Sequence, residues 1–390
     1  MIHWSEHGED RSAPWRSESG ASAPRRVVLA DDTLAADAAY RLVCEGTGLL
    51  WRGDFQNARH LLDALKRRIE RPRKSGKGGR NSAVPAAEFP HAFHLHRQAQ
   101  AQRARLLGLL LIELQPDWRI ALRRAPDWRA ACAEAWGPAL QESTVVSLRE
   151  LLGAVGAHEW RRKGVDVPAL GARIYPHYGV FSPVRGEYVD LVAQAPLPPG
   201  ADALAFEIGT GTGVLAAVLA RRGVARVVAT ELDPRALACA RDNLTRLGLE
   251  DRVQLLQTDL FPPATTFGRA PLIVCNPPWL PAKASAPIER AVYDEDSRML
   301  RGFLTGLPAH LAPHGEGWLI RSDLAEHLRL RTRDALLGWI GAAGLRVLDR
   351  HDIRPRHAKA TAGGDALAGA RAAEVTSLWR LGLASPTQQS

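Results

Sequence analysis

The chain has 390 residues, of which 46% are hydrophobic and 24% charged, and its formal net charge is +9 at pH 7. This apolar content suffices for a sizeable core, so the composition excludes a disordered protein, and the length favours two domains or one domain with an extension. The four cysteines are scattered without a Cys-x-x-Cys pair, so the sequence indicates neither a zinc site nor a disulfide framework.

No membrane segment or targeting signal is predicted. The first ten residues lack the basic-then-apolar pattern of a signal peptide. The longest aliphatic run, at 106–112, is far too short to cross a bilayer. We therefore expect a cytoplasmic protein that has no membrane partner.

The excess positive charge lies in the N-terminal half of the chain. Residues 41–130 contain 18 Lys or Arg against 8 Asp or Glu, and the remainder is close to neutral. A local basic excess is typical of a protein that binds a phosphate-rich partner. A solvated helix surface explains the same charge equally well.

Two segments are predicted before the pattern of the chain changes. Residues 1–29 are polar and rich in Ser, Gly and charge, which predicts a disordered tail. Residues 30–165 are predicted to form a mainly helical, basic accessory domain, with apolar residues at spacings of three and four over 55–69 and a second helix over 95–113. The run at 71–80 contains Arg, Lys and Gly and is predicted to be a flexible linker.

Residues 166–390 are predicted to form an α/β domain. Apolar runs alternate with helical patterns, which is typical of a parallel sheet covered by helices on both faces. The closing run at 374–383 suits an antiparallel last strand. The predicted strands before it lie at 203–209, 227–231, 253–256, 272–275, 317–322 and 345–350.

A glycine-rich turn follows the first of these strands. Gly209, Gly211 and Gly213 stand where the strand turns into its helix. Glycine there permits unusual backbone angles and lets the chain approach a nucleoside cofactor closely. Taken alone the pattern also fits a dinucleotide-binding dehydrogenase.

Acidic residues stand at the ends of the first three strands. Glu231 lies at the distance beyond the glycines at which a carboxylate binds ribose hydroxyls. Glu207 and Asp259 are placed similarly, and ligands of such sheets bind at the carboxyl ends of the strands. Helix capping or an exposed surface charge is the alternative for each residue.

The tetrapeptide Asn276-Pro277-Pro278-Trp279 follows the fourth predicted strand. The Asn276 side-chain oxygen and the Pro277 carbonyl can each accept a hydrogen bond from a planar amino group. The prolines stiffen the loop, and the Trp279 indole can stack on a flat substrate. The alternative is a simple turn with a core aromatic residue.

Residues 174–383 resemble the class I S-adenosylmethionine (SAM) dependent N-methyltransferases, in their Asn-Pro-Pro-aromatic branch. The resemblance implies a Rossmann-like sheet of seven strands with SAM as the cofactor. It also implies that Glu207 lies near the methionyl group, that Asp259 contacts the adenine amino group, and that Asn276 adjoins both cofactor and substrate.

The resemblance specifies the reaction better than the substrate. Its best-known members methylate a release-factor glutamine, N6 of adenine, or N2 of guanine in ribosomal RNA. The release-factor group carries Tyr where Trp279 stands, so together with the basic segment the sequence favours a nucleobase amino group in RNA. A protein-glutamine methyltransferase and a catalytically silent nucleic-acid-binding protein remain alternatives, and a dehydrogenase is the least favoured.

Two further segments contain candidate site residues. Phe181 precedes the sheet in a Pro-rich segment and is a candidate for the pocket wall, as the resemblance implies, or for the core. His91, His94 and His96 lie close together but have no carboxylate or cysteine at ligand spacing, so no metal is predicted.

Overall fold

The computed structural model describes residues 1–70, 88–183, 186–355 and 367–384. The basic linker predicted at 71–80 lies outside these described residues. The chain divides into two compact units, of which the first comprises Met1–Ser82 and His94–Glu159 and the second Ala83–Phe93 and Trp160–Ser390.

Strands and helices alternate from the N-terminus onward. The strands up to residue 147 are β1 Ile2–Glu6, β2 Glu9–Ala13, β3 Trp15–Arg16, β4 Arg26–Ala30, β5 Thr47–Trp51, β6 Leu110–Leu114 and β7 Thr144–Ser147. The helices up to residue 163 are α1 Ala36–Cys44, α2 Phe55–Glu70, α3 Phe89–Leu107, α4 Arg129–Trp136 and α5 Leu148–Lys163.

The first unit is built on a five-stranded sheet, which the prediction of a mainly helical domain at 30–165 did not include, although α1 to α5 hold most of the described residues of that range. The strand order is β3-β7-β6-β5-β4, with β4, β5 and β6 parallel and β7 antiparallel to β6. The helix predicted over 95–113 ends at Leu107, and its last residues belong to β6. Every residue of β5 and β7 is buried, and short apolar runs of this kind do not distinguish a buried strand from a helix by period.

The prediction of a disordered tail at 1–29 is wrong. Strands β1 and β2 form an antiparallel pair, and the alternating pattern of β1 buries Ile2 and Trp4 against Leu50 and Leu111. The Glu6 carboxylate accepts hydrogen bonds of 2.7 and 2.8 Å from the Arg52 guanidinium. These partners lie at least 40 residues away in the sequence, so the composition of the segment does not reveal them.

The second unit contains the remaining elements. Its strands are β8 Val165–Val167, β9 Ala172–Ile174, β10 Leu204–Ile208, β11 Arg226–Glu231, β12 Val253–Gln257, β13 Ala270–Cys275, β14 Leu311–Ser322, β15 Leu345–Ile353 and β16 Thr376–Leu383. Its helices are α6 Glu187–Gln194, α7 Val214–Arg221, α8 Pro234–Leu247, α9 Ala264–Phe267, α10 Arg298–His310, α11 Leu324–His327, α12 Arg333–Ala342 and α13 Ala368–Ala373.

The predicted Rossmann-like sheet of seven strands is confirmed. Its order is β12-β11-β10-β13-β14-β16-β15. The strands from β12 to β14 are parallel, and β16 runs antiparallel between β14 and β15. The chain order changes between β10 and β13, and ligands of open α/β sheets bind at such a switch point.

Helices cover both faces of this sheet. On one face the apolar side chains of α6 and α7 pack on the strands in a single buried cluster, with all of Val214–Ala220 inside it. On the other face α10 and α12 contribute Phe303, Leu307 and Leu336. This burial on both faces explains why the central strands are continuous apolar runs without alternation.

No helix in the described ranges is both long and apolar enough to cross a membrane. Among the same residues no group of three or more His, Cys, Asp or Glu side chains is arranged to hold a metal ion.

The Glu6–Arg52 ion pair gives a pH-dependent test of the folded N-terminus. The hydrogen bond from Arg52 lowers the pKa of Glu6 from 4.5 to about 2. Its stabilising effect is therefore complete above pH 4.5 and is lost as the pH falls towards 2. We expect Glu6→Gln to lower the melting temperature near neutral pH, and the difference from wild type to shrink over this range.

The exposed neighbour Glu9 is the control for this experiment, because its side chain is 76% exposed. Glu9→Gln should leave the melting temperature almost unchanged at every pH. Equal melting temperatures for wild type and Glu6→Gln at pH 7 would contradict an ordered N-terminus held by this pair.

Candidate active site

The register of two neighbouring strands sets the position of the site. Strands β10 and β13 are parallel, and Ile208 pairs with Cys275 at their carboxyl ends. Each of these is the last residue of its strand. The glycine-rich turn that begins at Gly209 and the loop that begins at Asn276 therefore leave the sheet side by side.

The glycine-rich turn has the backbone conformation that only glycine adopts without strain. Gly209, Gly211 and Gly213 have φ values of +76°, +57° and +81°. A Cβ atom on Gly209 would lie 2.6 Å from the Met299 Cε. At the Gly211 position a Cβ would meet nothing within 4 Å, which leaves open space above the turn.

The Glu231 carboxylate is bound to the same turn. It accepts a hydrogen bond of 2.9 Å from the Gly211 N–H, and bonds of 2.9 and 3.0 Å from the N–H groups of Leu232 and Asp233. Glu231 thus joins the end of β11 to the turn after β10. These three bonds fix the carboxylate at the carboxyl ends of the strands, where ligands of such sheets bind.

Glu207 is almost fully buried, with 2% of its surface exposed. Its carboxyl group accepts hydrogen bonds of 2.5 Å from the Thr210 hydroxyl and 2.9 Å from the Ala216 N–H. Burial raises its pKa from 4.5 to about 8, although these two hydrogen bonds act in the opposite direction. Both bonds hold the turn and the start of α7, so Glu207 stabilises the glycine turn from within.

Asp259, which follows β12, is ion-paired with Arg298 at the start of α10. Only Oδ2 of the carboxylate takes part in this bond, and within the described residues Oδ1 has no hydrogen-bond partner. An acceptor oxygen is therefore available beside the ion pair. Arg298 was missed at the sequence level, since it lies 39 residues from Asp259.

The Asn276 and Trp279 side chains are bonded to each other. The indole Nε1–H of Trp279 donates a hydrogen bond of 3.0 Å to the Asn276 Oδ1. The Trp279 ring is partly buried and packs against the apolar cluster that α6 and α7 form with the sheet. Because the amide nitrogen cannot accept from an N–H group, this bond fixes which end of the Asn276 amide faces the indole.

A buried arginine is hydrogen-bonded to the same loop. Arg331 is 7% exposed and donates hydrogen bonds of 3.2 Å to the Trp279 carbonyl and 3.0 Å to the Ser297 hydroxyl. Burial lowers its pKa. Asp294 caps the start of α10 by accepting from the Met299 and Leu300 N–H groups at 2.9 and 3.1 Å, and burial raises its pKa.

No sequence pattern indicates Arg331 or Asp294 as site residues. Arg331 lies 52 residues from Trp279 along the chain, and a surface position is the usual expectation for arginine. Only the folded chain brings it beneath the loop.

These loops enclose a cavity of about 970 Å³. Most of the predicted site residues line it, and Phe181, which is 40% exposed, forms part of its wall. The lining includes Glu207, Gly209, Gly211, Glu231, Asp259, Asn276, Pro277 and Trp279.

Gly213 is the exception among the predicted cofactor residues, because it is not part of the cavity lining. A Cβ atom at Gly213 would lie 3.3 Å from the Cα of Ala240 in α8. Gly213 therefore permits close packing of α7 and α8, a role that the third glycine of such turns is expected to have.

Residues 172–328 match the family model described as "Methyltransferase small domain". This part of the chain is therefore similar to the methyltransferase small domain. The match begins at β9 and ends after α11, and it contains both loops of the cavity. Residues 1–171 lie outside the matched segment.

The curated proteins that this chain matches differ in substrate. The chain is 33% identical over 173 residues to a release factor glutamine methyltransferase of Cereibacter sphaeroides, a match that covers 41% of this chain and 58% of that protein. It is 36% identical over 103 residues to a tRNA1(Val) (adenine(37)-N6)-methyltransferase of Shewanella amazonensis, covering 26% and 43%. With a ribosomal protein L11 methyltransferase of Pelotomaculum thermopropionicum it shares 44% identity over 71 residues, covering 18% and 22%.

These matches are partial. The chain spans 22–58% of the length of the three relatives. Because the matches cover only part of each relative, they do not show the activity of the whole protein.

Replacing Arg331 tests whether its hydrogen bonds stabilise the loop that begins at Asn276. We expect Arg331→Met to destabilise the loop by about 2–3 kcal/mol, because a buried carbonyl and a buried hydroxyl lose a charged donor. Hydrogen–deuterium exchange of the peptide covering 276–298 should become faster.

Arg333→Met is the matched control, since Arg333 is 38% exposed and bonds Glu326 without contacting the loop. Its exchange over 276–298 should equal that of the wild type. Unchanged exchange in Arg331→Met would show that the loop does not depend on this arginine.

Proposed function

We propose that the protein transfers a methyl group from SAM to a planar exocyclic amino group of a nucleobase in RNA. The observation that carries the proposal is the meeting of the glycine turn and the Asn276 loop in one cavity. We place the reaction in the cytoplasm, as the sequence predicts.

The residues around the glycine turn fit SAM. Open space above Gly211 admits the cofactor, and Glu231 supplies carboxylate oxygens for its ribose. The unpartnered Oδ1 of Asp259 is an acceptor for the adenine amino group. When bound, SAM supplies an electrophilic methyl group on a positively charged sulfur.

Asn276 is the residue that we assign to the substrate amine. One lone pair of its Oδ1 accepts from the Trp279 indole, and the second is free to accept from the amino group. The Pro277 carbonyl is the second acceptor. Together they orient the nitrogen lone pair and stabilise the positive charge that develops on nitrogen during transfer.

The reaction balances without a strong base. The substrate nitrogen gains the methyl carbon, the electron pair of the broken S–C bond stays on sulfur, and the amino proton passes to water. No histidine is present among the described residues that line the cavity, which suits this route. S-adenosylhomocysteine and the N-methylated base are the products.

The contacts of the Trp279 indole favour a different role from the substrate stacking expected from the sequence. Its N–H is committed to Asn276 and its ring packs partly on the core. We propose that Trp279 is a positioning residue, which keeps the Asn276 oxygen directed at the amine, and that stacking on the substrate is secondary.

RNA is favoured as the substrate by two observations. The basic excess at 41–130 suits a phosphate-rich partner, and one of the matched relatives is a tRNA adenine-N6 methyltransferase. The second candidate is N5 methylation of a protein glutamine, which is favoured by the 33% identity to the release factor glutamine methyltransferase. Both substrates present a planar amino group, so the cavity chemistry is the same for each.

Incubation with tritiated SAM tests the reaction and the substrate together. A lysate of cells that lack the protein is added and then split into RNA and protein fractions. We expect label in RNA, reduced about 100-fold or more by Asn276→Ala because a transition-state contact is removed. Label in a protein band would select the glutamine reaction, and label in neither would contradict the proposed function.

Trp279→Phe tests the positioning role on the substrate identified in this way. It keeps an aromatic ring but removes the N–H donor, and loss of one hydrogen bond of about 1 kcal/mol should lower kcat about fivefold. SAM affinity measured by calorimetry should not change. An unchanged kcat together with a raised KM would instead assign Trp279 to substrate stacking.

A further inference from the structure

The first unit contains a small cleft that neither the sequence analysis nor the proposed reaction uses. It has a volume of about 180 Å³ and lies among α2, α3 and the start of α5. This volume is several times the share of one water molecule in the liquid, about 30 Å³. The cleft is lined by Lys66, Gln100, Arg103, Ala104, Leu107 and Arg149.

The lining is cationic. Three of its six residues are Lys or Arg, and none is Asp or Glu. Lys66 and Arg103 are each ion-paired with a carboxylate of α2 outside the lining, Asp63 and Glu70 respectively.

Arg149 differs from the other two cations. It is exposed, and in the part of the chain that the structure describes it has no hydrogen-bonded or ion-paired partner. An unpaired guanidinium beside two further cations attracts an anion, because mutual repulsion of like charges falls when a negative group binds among them.

We propose that this cleft binds a phosphate group of the RNA backbone. The inference rests on the proposed function and names where the first unit holds the substrate. Arginine offers a planar pair of N–H donors that matches phosphate oxygens, lysine adds a compact charge, and the Gln100 amide adds a neutral donor. A cleft of this size accommodates one such group and reads no base.

The surrounding sequence supports a polyanion over a single acidic side chain. The ten residues 71–80, which follow the end of α2, contain five Lys or Arg and no Asp or Glu. RNA offers a negative charge at every nucleotide, so one strand can supply anions both to the cleft and to other basic residues of the chain. The contact is sequence-independent and adds affinity while the Asn276 loop selects the amino group.

The test measures how RNA affinity depends on salt. A fluorescein-labelled RNA hairpin is titrated with the full-length protein, without SAM, over a series of potassium chloride concentrations. We expect Arg149→Gln to weaken binding at low salt and to reduce the slope of log K against log salt by about one. Replacing Lys66, Arg103 and Arg149 together with Gln should weaken binding further, while the slope still falls by about one because the cleft holds a single phosphate.

Arg41→Gln is the matched control. Arg41 is an exposed arginine of α1 in the same unit, and it does not line the cleft. Its replacement by Gln removes the same charge as Arg149→Gln. Its slope should equal that of the wild type. Circular dichroism checks that each variant is folded.

The outcomes separate this proposal from the proposed function. Equal slopes for wild type, Arg149→Gln and the triple variant would overturn the phosphate cleft even if RNA is methylated. Absence of RNA binding by the wild type would overturn it as well. A reduced slope in a protein that labels no RNA with tritiated SAM would support the cleft and contradict the reaction.

Discussion

The pairing of Ile208 with Cys275 at the ends of β10 and β13 is the constraint on which the rest of the site depends. It brings a loop suited to a nucleoside and a loop suited to an amino group to one edge of one sheet. The strands are buried on both faces, and a shift by one residue would turn each side chain to the opposite face. The helices that cover the sheet therefore also fix the relative height of the two loops.

Hydrogen bonds of buried polar groups then define the shape of each loop. Glu207 holds the glycine turn from inside, and Glu231 joins it to the neighbouring strand. Arg331 holds the Trp279 carbonyl, and the Trp279 indole in turn orients Asn276. A reaction centre needs such support, because a displaced acceptor loses much of its effect on the reacting group.

The sequence was informative where the pattern was local. Alternating strands and helices predicted the sheet of the second unit, and Asn276 with its prolines marked the second loop. Prediction from the sequence failed where a residue's contacts lie far away along the chain. The prediction of disorder at 1–29 is wrong because Ile2 and Trp4 pack against strands that lie far along the chain. Arg331 gave no signal for the same reason, and the buried strands of the first unit were short apolar runs that also fit helices.

The central claim is that the cavity at this strand edge is a SAM site. Isothermal titration calorimetry of the full-length protein with SAM, and separately with NADH, tests it most directly. We expect one SAM to bind per chain, NADH to give no heat of binding, and Gly211→Val to abolish the SAM signal because valine is strained at a φ of +57°. Binding of NADH in place of SAM, or no binding of SAM, would contradict it.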